Sequence, residues 1–205
     1  MSNLSSAKPL VVSFYTENTP YQIEAFRLLS SCNEFEVEAE IDGVPSLGSW
    51  ARNCAIKPFF MRDKLKLHKR PIFWVDVDAA FCCTPNFSTF LSFDLVIRQI
   101  ERFKHDARFR FFTGSLFMNY TPAALEFVDA WCNYCEKALQ SSSNCEYLDQ
   151  ISLVHVMDGK HALRIDPLPI AYAKIFDIDA ELIDPSAVVI EHHQASRRYR
   201  GYYSQ

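Results

Sequence analysis

Asp76 and Asp78 stand one residue apart directly behind the apolar run Ile72–Val75, in the segment IFWVDVDAAF. Side chains of an extended chain alternate faces, so the spacing predicts that both carboxylates point the same way. Two like charges on one side of a low-dielectric crevice repel unless a cation or a proton sits between them. Hard oxygen ligands suit Mg2+ or Mn2+, and Mg2+ is usually held by one or two carboxylates together with substrate phosphates. The pair therefore reads as a candidate seat for a metal–diphosphate complex. The bland alternative is a pair of exposed turn residues closing a strand.

A second cluster is EHHQASRRYR, Glu191–Arg200, which combines two imidazoles with three arginines. An imidazole added to two carboxylates shifts the preference from Mg2+ towards Mn2+, and guanidinium forks match phosphate oxygens. His192 and His193 point oppositely if the chain is extended there, so one is the candidate ligand and the other a bystander. A solvated basic tail has the same composition. Cys132 and Cys135 form a Cys-x-x-Cys within a helical pattern, without the second ligand pair of a zinc site. Seven cysteines, two of them the adjacent Cys82 and Cys83, predict reduced thiols in the cytoplasm.

The elements that must position these groups alternate between strand and helix. Leu10–Tyr15 reads as a buried strand, Tyr21–Leu29 as a helix, Phe35–Ile41 as a half-buried strand, and Trp50–Leu67 as a helix with Pro58 as a possible break. Pro71–Asp76 is a further buried strand, followed by a loop around Pro85 and strands at Leu95–Ile97 and Ser115–Asn119. Thr121-Pro122 opens a helix to about Leu139, Gln140–Asn144 is a loop, Tyr147–Met157 a helix, Asp166–Pro169 a proline-rich connection, and Ala187–Glu191 a last strand. This order predicts an α/β, Rossmann-like domain with a mostly parallel sheet flanked by helices, and ligands outside the carboxyl ends of its strands.

Composition bounds the rest. With 205 residues, 49% of them apolar and 22% charged, the chain can build one sizeable core. A net charge of -4 predicts no nucleic-acid partner and no attraction to an anionic membrane. No apolar run approaches the ~18 residues of a membrane span, and MSNLSSAKPLVVSFY lacks the layout of an export signal. Five glycines leave no dinucleotide fingerprint and no Walker A loop, so a phosphorylated ligand needs another grip.

WVDVDAAF, FTGSLFMN (Phe112–Asn119), Asp149-Gln150 within EYLDQISL, and His192 in the basic segment occur in an order that resembles the nucleotide-diphospho-sugar-dependent glycosyltransferases of the GT-A fold. SWARNCAIKPFF, Ser49–Phe60, is similar to the Trp and Lys-Pro region ahead of the Asp-x-Asp strand in that family. The likeness extends from Ser13 to Arg200 and implies one glycosyltransferase-like domain over residues 1–205. It implies metal ligation by Asp76, Asp78 and His192, with Asp76 also contacting the nucleotide ribose. Arg198 is then the first choice for gripping the diphosphate and Arg197 the second, and Lys57 reaches the donor. Tyr15 and Thr16 take the base and ribose, Gly114 and Ser115 lie against the donor sugar, and Asp149 and Gln150 bond its hydroxyls, with Asp149 the carboxylate closest to catalysis.

The activity so implied is Mn2+- or Mg2+-dependent transfer of a sugar from a nucleoside-diphosphate donor to a hydroxyl of a glycan, lipid or protein. Donor base, sugar and stereochemistry stay open. The segment after the last strand departs from the His-x-x-Gly-x-x-Lys-Pro-Trp of some relatives, and acceptor recognition falls to the loops Phe81–Ser92 and His161–Asp184. Two rival readings use the same residues. A haloacid-dehalogenase-type phosphohydrolase would use Asp76 as nucleophile and Asp78 as acid, but needs a further acidic motif such as Gly-Asp-x-x-x-Asp, and no Gly-Asp occurs. A catalytically silent sugar-nucleotide-binding protein would retain the cleft alone.

Overall fold

A computed structural model describes residues 8–106, 108–141, 146–159 and 162–199. Its main sheet has six strands: β1 (Leu10–Thr16), β2 (Ala39–Val44), β3 (Ile72–Val75), β5 (Leu95–Gln99), β6 (Phe111–Met118) and β7 (Ile165–Pro167), in the order β2-β1-β3-β6-β5-β7. β2-β1, β1-β3 and β5-β7 pair in parallel, and β6 runs antiparallel to both neighbours. The expected α/β class with a mostly parallel sheet is what the chain forms. A small second sheet joins β4 (Ala79–Phe81), β8 (Lys174–Ile175) and β9 (Ile190–His192) in the order β4-β9-β8.

The apolar runs are continuous because both faces of the sheet are covered. Leu10, Val12, Ile72 and Trp74 pack with α3 (Lys57–His68), α4 (Pro122–Ser141) and α5 (Leu148–Met157), through Met61, Leu65, Phe127, Trp131 and Leu153. The alternate residues Val11, Phe73 and Val75 meet Leu28 and Cys32 of α1 (Tyr21–Glu34) together with Phe90 and Leu168. Each apolar side chain so buried contributes about 1.5–3 kcal/mol relative to exposure.

Several boundaries move for local reasons. The strand expected at Phe35–Ile41 begins at Ala39, because α1 continues to Glu34 and Glu36 turns the chain with φ 54°. The helix expected over Trp50–Leu67 is two helices, α2 (Trp50–Cys54) and α3, parted at Ala55 and Ile56. Pro58 does not cause the break: it lies in the first turn of α3, where its missing N–H costs nothing. The Ser49 side chain caps α2 by accepting from the Arg52 N–H at 3.2 Å. α4 runs through Gln140 to Ser141, and residues 142–144 of the loop expected there lie outside the described residues, as do His161 and Arg200.

Candidate active site

β3 ends at Val75, so Asp76-Val77-Asp78 is a turn and not a continuation of the strand. The Asp76 N–H donates to the Gly114 carbonyl at 2.6 Å, and the Ala79 N–H donates to the Asp76 carbonyl at 3.1 Å. Val77 turns inward against Tyr21, Ala25 and Ala195. Both carboxylates line one cavity, through this turn and not through the strand alternation that the spacing suggested. The Oδ2 of Asp78 accepts the Ala195 N–H at 2.6 Å. Burial, and after it the charge of Asp76, pushes the Asp78 carboxyl up to about 7.

Lys57 is the hub of the site. Its Nζ lies 2.9 Å from Asp149 Oδ2 and 3.1 Å from Asp76 Oδ1, and donates to the Thr113 carbonyl at 3.1 Å. Burial alone would depress the ammonium, but Asp149 and then Asp76 outweigh it and hold Lys57 above its usual range. Asp76 Oδ1 also accepts from Trp74 Nε1 at 2.9 Å, and the Thr113 hydroxyl donates to Asp149 Oδ2 at 3.0 Å. The start of α5 is pinned from below, where Trp131 Nε1 donates to the Asp149 carbonyl at 3.0 Å.

The cavity holds about 380 Å³ and opens at the carboxyl ends of β1 and β3. β6 runs the other way, so its first half, Phe112 to Gly114, reaches the same end. Tyr15, Thr16, Lys57, Asp76 and Asp78 line it from one side of the chain order. Gly114, Asp149, Gln150 and Arg197 complete the expected residues that it brings together. Gly114 also makes room for a neighbour: a Cβ there would fall 2.4 Å from Cζ of Phe112.

Three expected residues sit behind or beside this wall. Ser115 and His192 are both 0% exposed and bond each other, Oγ to Nε2, at 2.7 Å. Burial, and then Lys57, pushes His192 down to about 3, so the ring is neutral, and its Nδ1 has no partner among the described residues. β9 brings His192 opposite Ala79, and His193 donates its backbone N–H to the Asp78 carbonyl at 2.9 Å. Arg198 points away to Glu24 at 3.1 Å, whereas Arg197 lines the cavity and pairs with Asp177. Among the described residues no three His, Cys, Asp or Glu side chains are gathered closely enough to form a metal cluster, so Asp76, Asp78 and His192 do not converge as placed.

Solved structures share this architecture. A glycosyltransferase involved in the glycosylation of the major capsid of PBCV-1 superposes with a TM-score of 0.70 over 96% of this chain and 97% of its own, at 11% identity. The glycosyltransferase GlyE of Streptococcus pneumoniae TIGR4 gives 0.59 over 92% of this chain at 14% identity, and the match spans 55% of GlyE. Mouse xyloside xylosyltransferase 1, in its apo form, gives 0.51 over 93% of this chain and 99% of its own at 12% identity. The fold is one that glycosyltransferases use. No protein-family model and no curated protein matches the sequence.

Within this glycosyltransferase fold, the cavity also contains groups that motif spacing did not single out. Thr113 completes the Lys57–Asp149 bonds, and Trp50, Phe103, Phe109 and Tyr147 line the wall. The aromatic and basic residues of 99–112 were visible in the sequence, but no spacing tied them to Asp149. Of the two loops expected to receive the acceptor, the second supplies Ile175 and Ile178 to the lining, and residues 81–92 supply none. No described helix is long and apolar enough to cross a membrane.

Proposed function

We propose that the chain is a glycosyltransferase that moves a sugar from a nucleoside-diphosphate donor to an acceptor hydroxyl. The observation that carries this reading is the convergence of Asp76, Asp78, Lys57, Asp149 and Gln150 in one cavity at the strand ends of a fold shared with glycosyltransferases. In the reaction the acceptor oxygen forms a bond to the anomeric carbon, the bond from that carbon to the diphosphate oxygen breaks, and its electron pair leaves with the diphosphate. The acceptor proton passes to a basic oxygen, which is a carboxylate in an inverting path and the departing phosphate in a front-face retaining one.

The donor set fits a hard divalent ion, Mn2+ or Mg2+. Burial, and after it the charge of the neighbouring Asp76, drives the Asp78 carboxylate towards protonation, and a cation between the two would relieve the repulsion. Asp76 and Asp78 would hold the ion and diphosphate oxygens would complete its shell, while His192 stays bonded to Ser115 behind the cavity wall. Such an ion supplies Lewis-acid stabilisation of the charge on the departing diphosphate.

The chain's own residues do the rest. Tyr15 and Thr16, at the mouth of β1, take the base and ribose. Arg197, the cavity-lining member of the arginine pair, reaches the diphosphate when it exchanges Asp177 for phosphate oxygens. Lys57 and Thr113 hold Asp149 in place, and Asp149 with Gln150 orients the donor sugar through its hydroxyls. Residues 1–205 act as one such domain, and the free thiols of Cys32, Cys132 and Cys135 suit the cytoplasm.

Calorimetry with UDP and GDP, each with and without Mn2+ and with a chelator control, tests the reading. Mn2+-dependent binding of one nucleotide is expected. A folded sample that binds neither overturns it.

A further inference from the structure

Trp50, Tyr147, Phe109 and Phe103 form a continuous row of rings along one wall of the cavity. Successive centroids are 6.4, 5.1 and 5.5 Å apart. The rings come from the first residue of α2, the turn before α5 and the loop between β5 and β6, and each is only partly buried. Rings that serve a core are removed from water, as Phe73 and Trp131 are, both at 0% exposure. Four partly exposed rings lining a cavity are placed to meet a ligand. Tyr147 adds an independent observation: its φ of 57° is left-handed, a conformation that costs a residue with a Cβ about 1 kcal/mol or more. That backbone sets its ring two residues ahead of Asp149.

The ring planes are inclined to one another by 81°, 67° and 48°. No two neighbours offer the parallel faces that would sandwich a flat base. They form a faceted apolar strip, with polar groups beside it: Gln150 in the same lining, and the Arg102 guanidinium lying over Phe103 at 4.8 Å. A pyranose has the complementary character, with a face of C–H bonds and a rim of hydroxyls.

We propose that this row is the acceptor subsite and that its occupant is a glycan, whose pyranose units lie face-on to the rings while their hydroxyls reach Gln150 and Arg102. The unit on Tyr147, beside Asp149, carries the reacting hydroxyl, and Phe109 and Phe103 hold units farther out. This rests on the glycosyltransferase reading above and names its acceptor class.

Tryptophan emission reports on the row, because Trp50 is the partly exposed indole. The full chain is titrated with methyl glycosides and linear trisaccharides of glucose, galactose, mannose, xylose and N-acetylglucosamine, and nucleotide binding is measured on the same samples. The expected result is a saturable change with at least one trisaccharide, tighter than with its methyl glycoside. Phe109→Ala is expected to weaken that binding about tenfold and Phe109→Tyr to restore it. If Phe109→Ala fails to fold, Phe103→Ala in the same loop carries the same expectation for the longer glycan. Nucleotide binding without any glycan response, or an alanine variant that binds glycan like the parent, overturns the subsite and leaves the donor reading standing. A glycan response without nucleotide binding supports the stacking row and overturns the donor reading.

Discussion

The Lys57 ammonium lies 2.9 Å from Asp149 Oδ2, joining residues 92 positions apart in the chain, and both side chains are 6% exposed. Such a pair is costly to break from one side, because the surviving charge stays buried without a counter-ion. Lys57→Met is therefore expected to lower unfolding free energy by about 3–5 kcal/mol, read as a shift in the urea midpoint. The double variant Lys57→Met/Asp149→Leu should recover part of that loss while binding no donor. A single variant as stable as the parent would remove Lys57 from its place as hub.

Asp78 has two duties that conservative variants separate. Asp78→Asn keeps an oxygen that can accept the Ala195 N–H now bound at 2.6 Å, whereas Asp78→Ala leaves that donor without a partner, at a cost of about 1–3 kcal/mol. Both variants should lose Mn2+-dependent nucleotide affinity in calorimetry, and only the alanine form should melt earlier. Undiminished Mn2+ dependence in Asp78→Asn would sink the metal assignment.

Acid stability should depend on Asp179, whose Oδ1 accepts from Arg98 Nη2 at 2.8 Å with both side chains buried. Burial raises this carboxyl, but the Arg98 bonds and the Ile175 N–H outweigh it and hold the group below its ordinary 3.8. A folded-state depression contributes stability that is full above the unfolded value and disappears as pH falls from about 3.8 through the folded value. Urea midpoints of the parent and Asp179→Asn should accordingly differ at neutral pH and converge in strong acid. A gap that persists unchanged there would exclude the linkage.

Gly114→Ala tests close packing at the cavity wall. The added methyl would meet the Phe112 ring at 2.4 Å, and that ring stands edge-on to His192 with centroids 4.8 Å apart. Overpacking of this kind costs about 1–3 kcal/mol, and the displaced ring should also weaken donor binding. The smaller ring-free variant Gly114→Ala/Phe112→Leu should regain stability in the same denaturation series.

The sequence by itself determined the layers and the carboxylate motif. Apolar runs such as Leu10–Val12 and Ile72–Val75 are legible because a sheet covered on both faces needs every residue apolar, and local order alone sets the alternation of strand and helix. The Asp-x-Asp spacing is likewise local, so Asp76 and Asp78 could be paired without knowing the fold. Tertiary structure decided the reversal of β6, which carries Thr113 and Gly114 to the cavity, and the small sheet that seats His192 against Ser115 behind it. It also decided which cations face the cavity, because whether Arg197 or Arg198 turns inward depends on Asp177 and Glu24, from distant parts of the chain. The aromatic row belongs to the same class: its members lie in separate segments with no common period, and only the ring-to-ring contacts of the folded chain set them side by side. Local physics is written in neighbours along the chain, whereas a site assembled from residues ninety positions apart exists only once the backbone has closed.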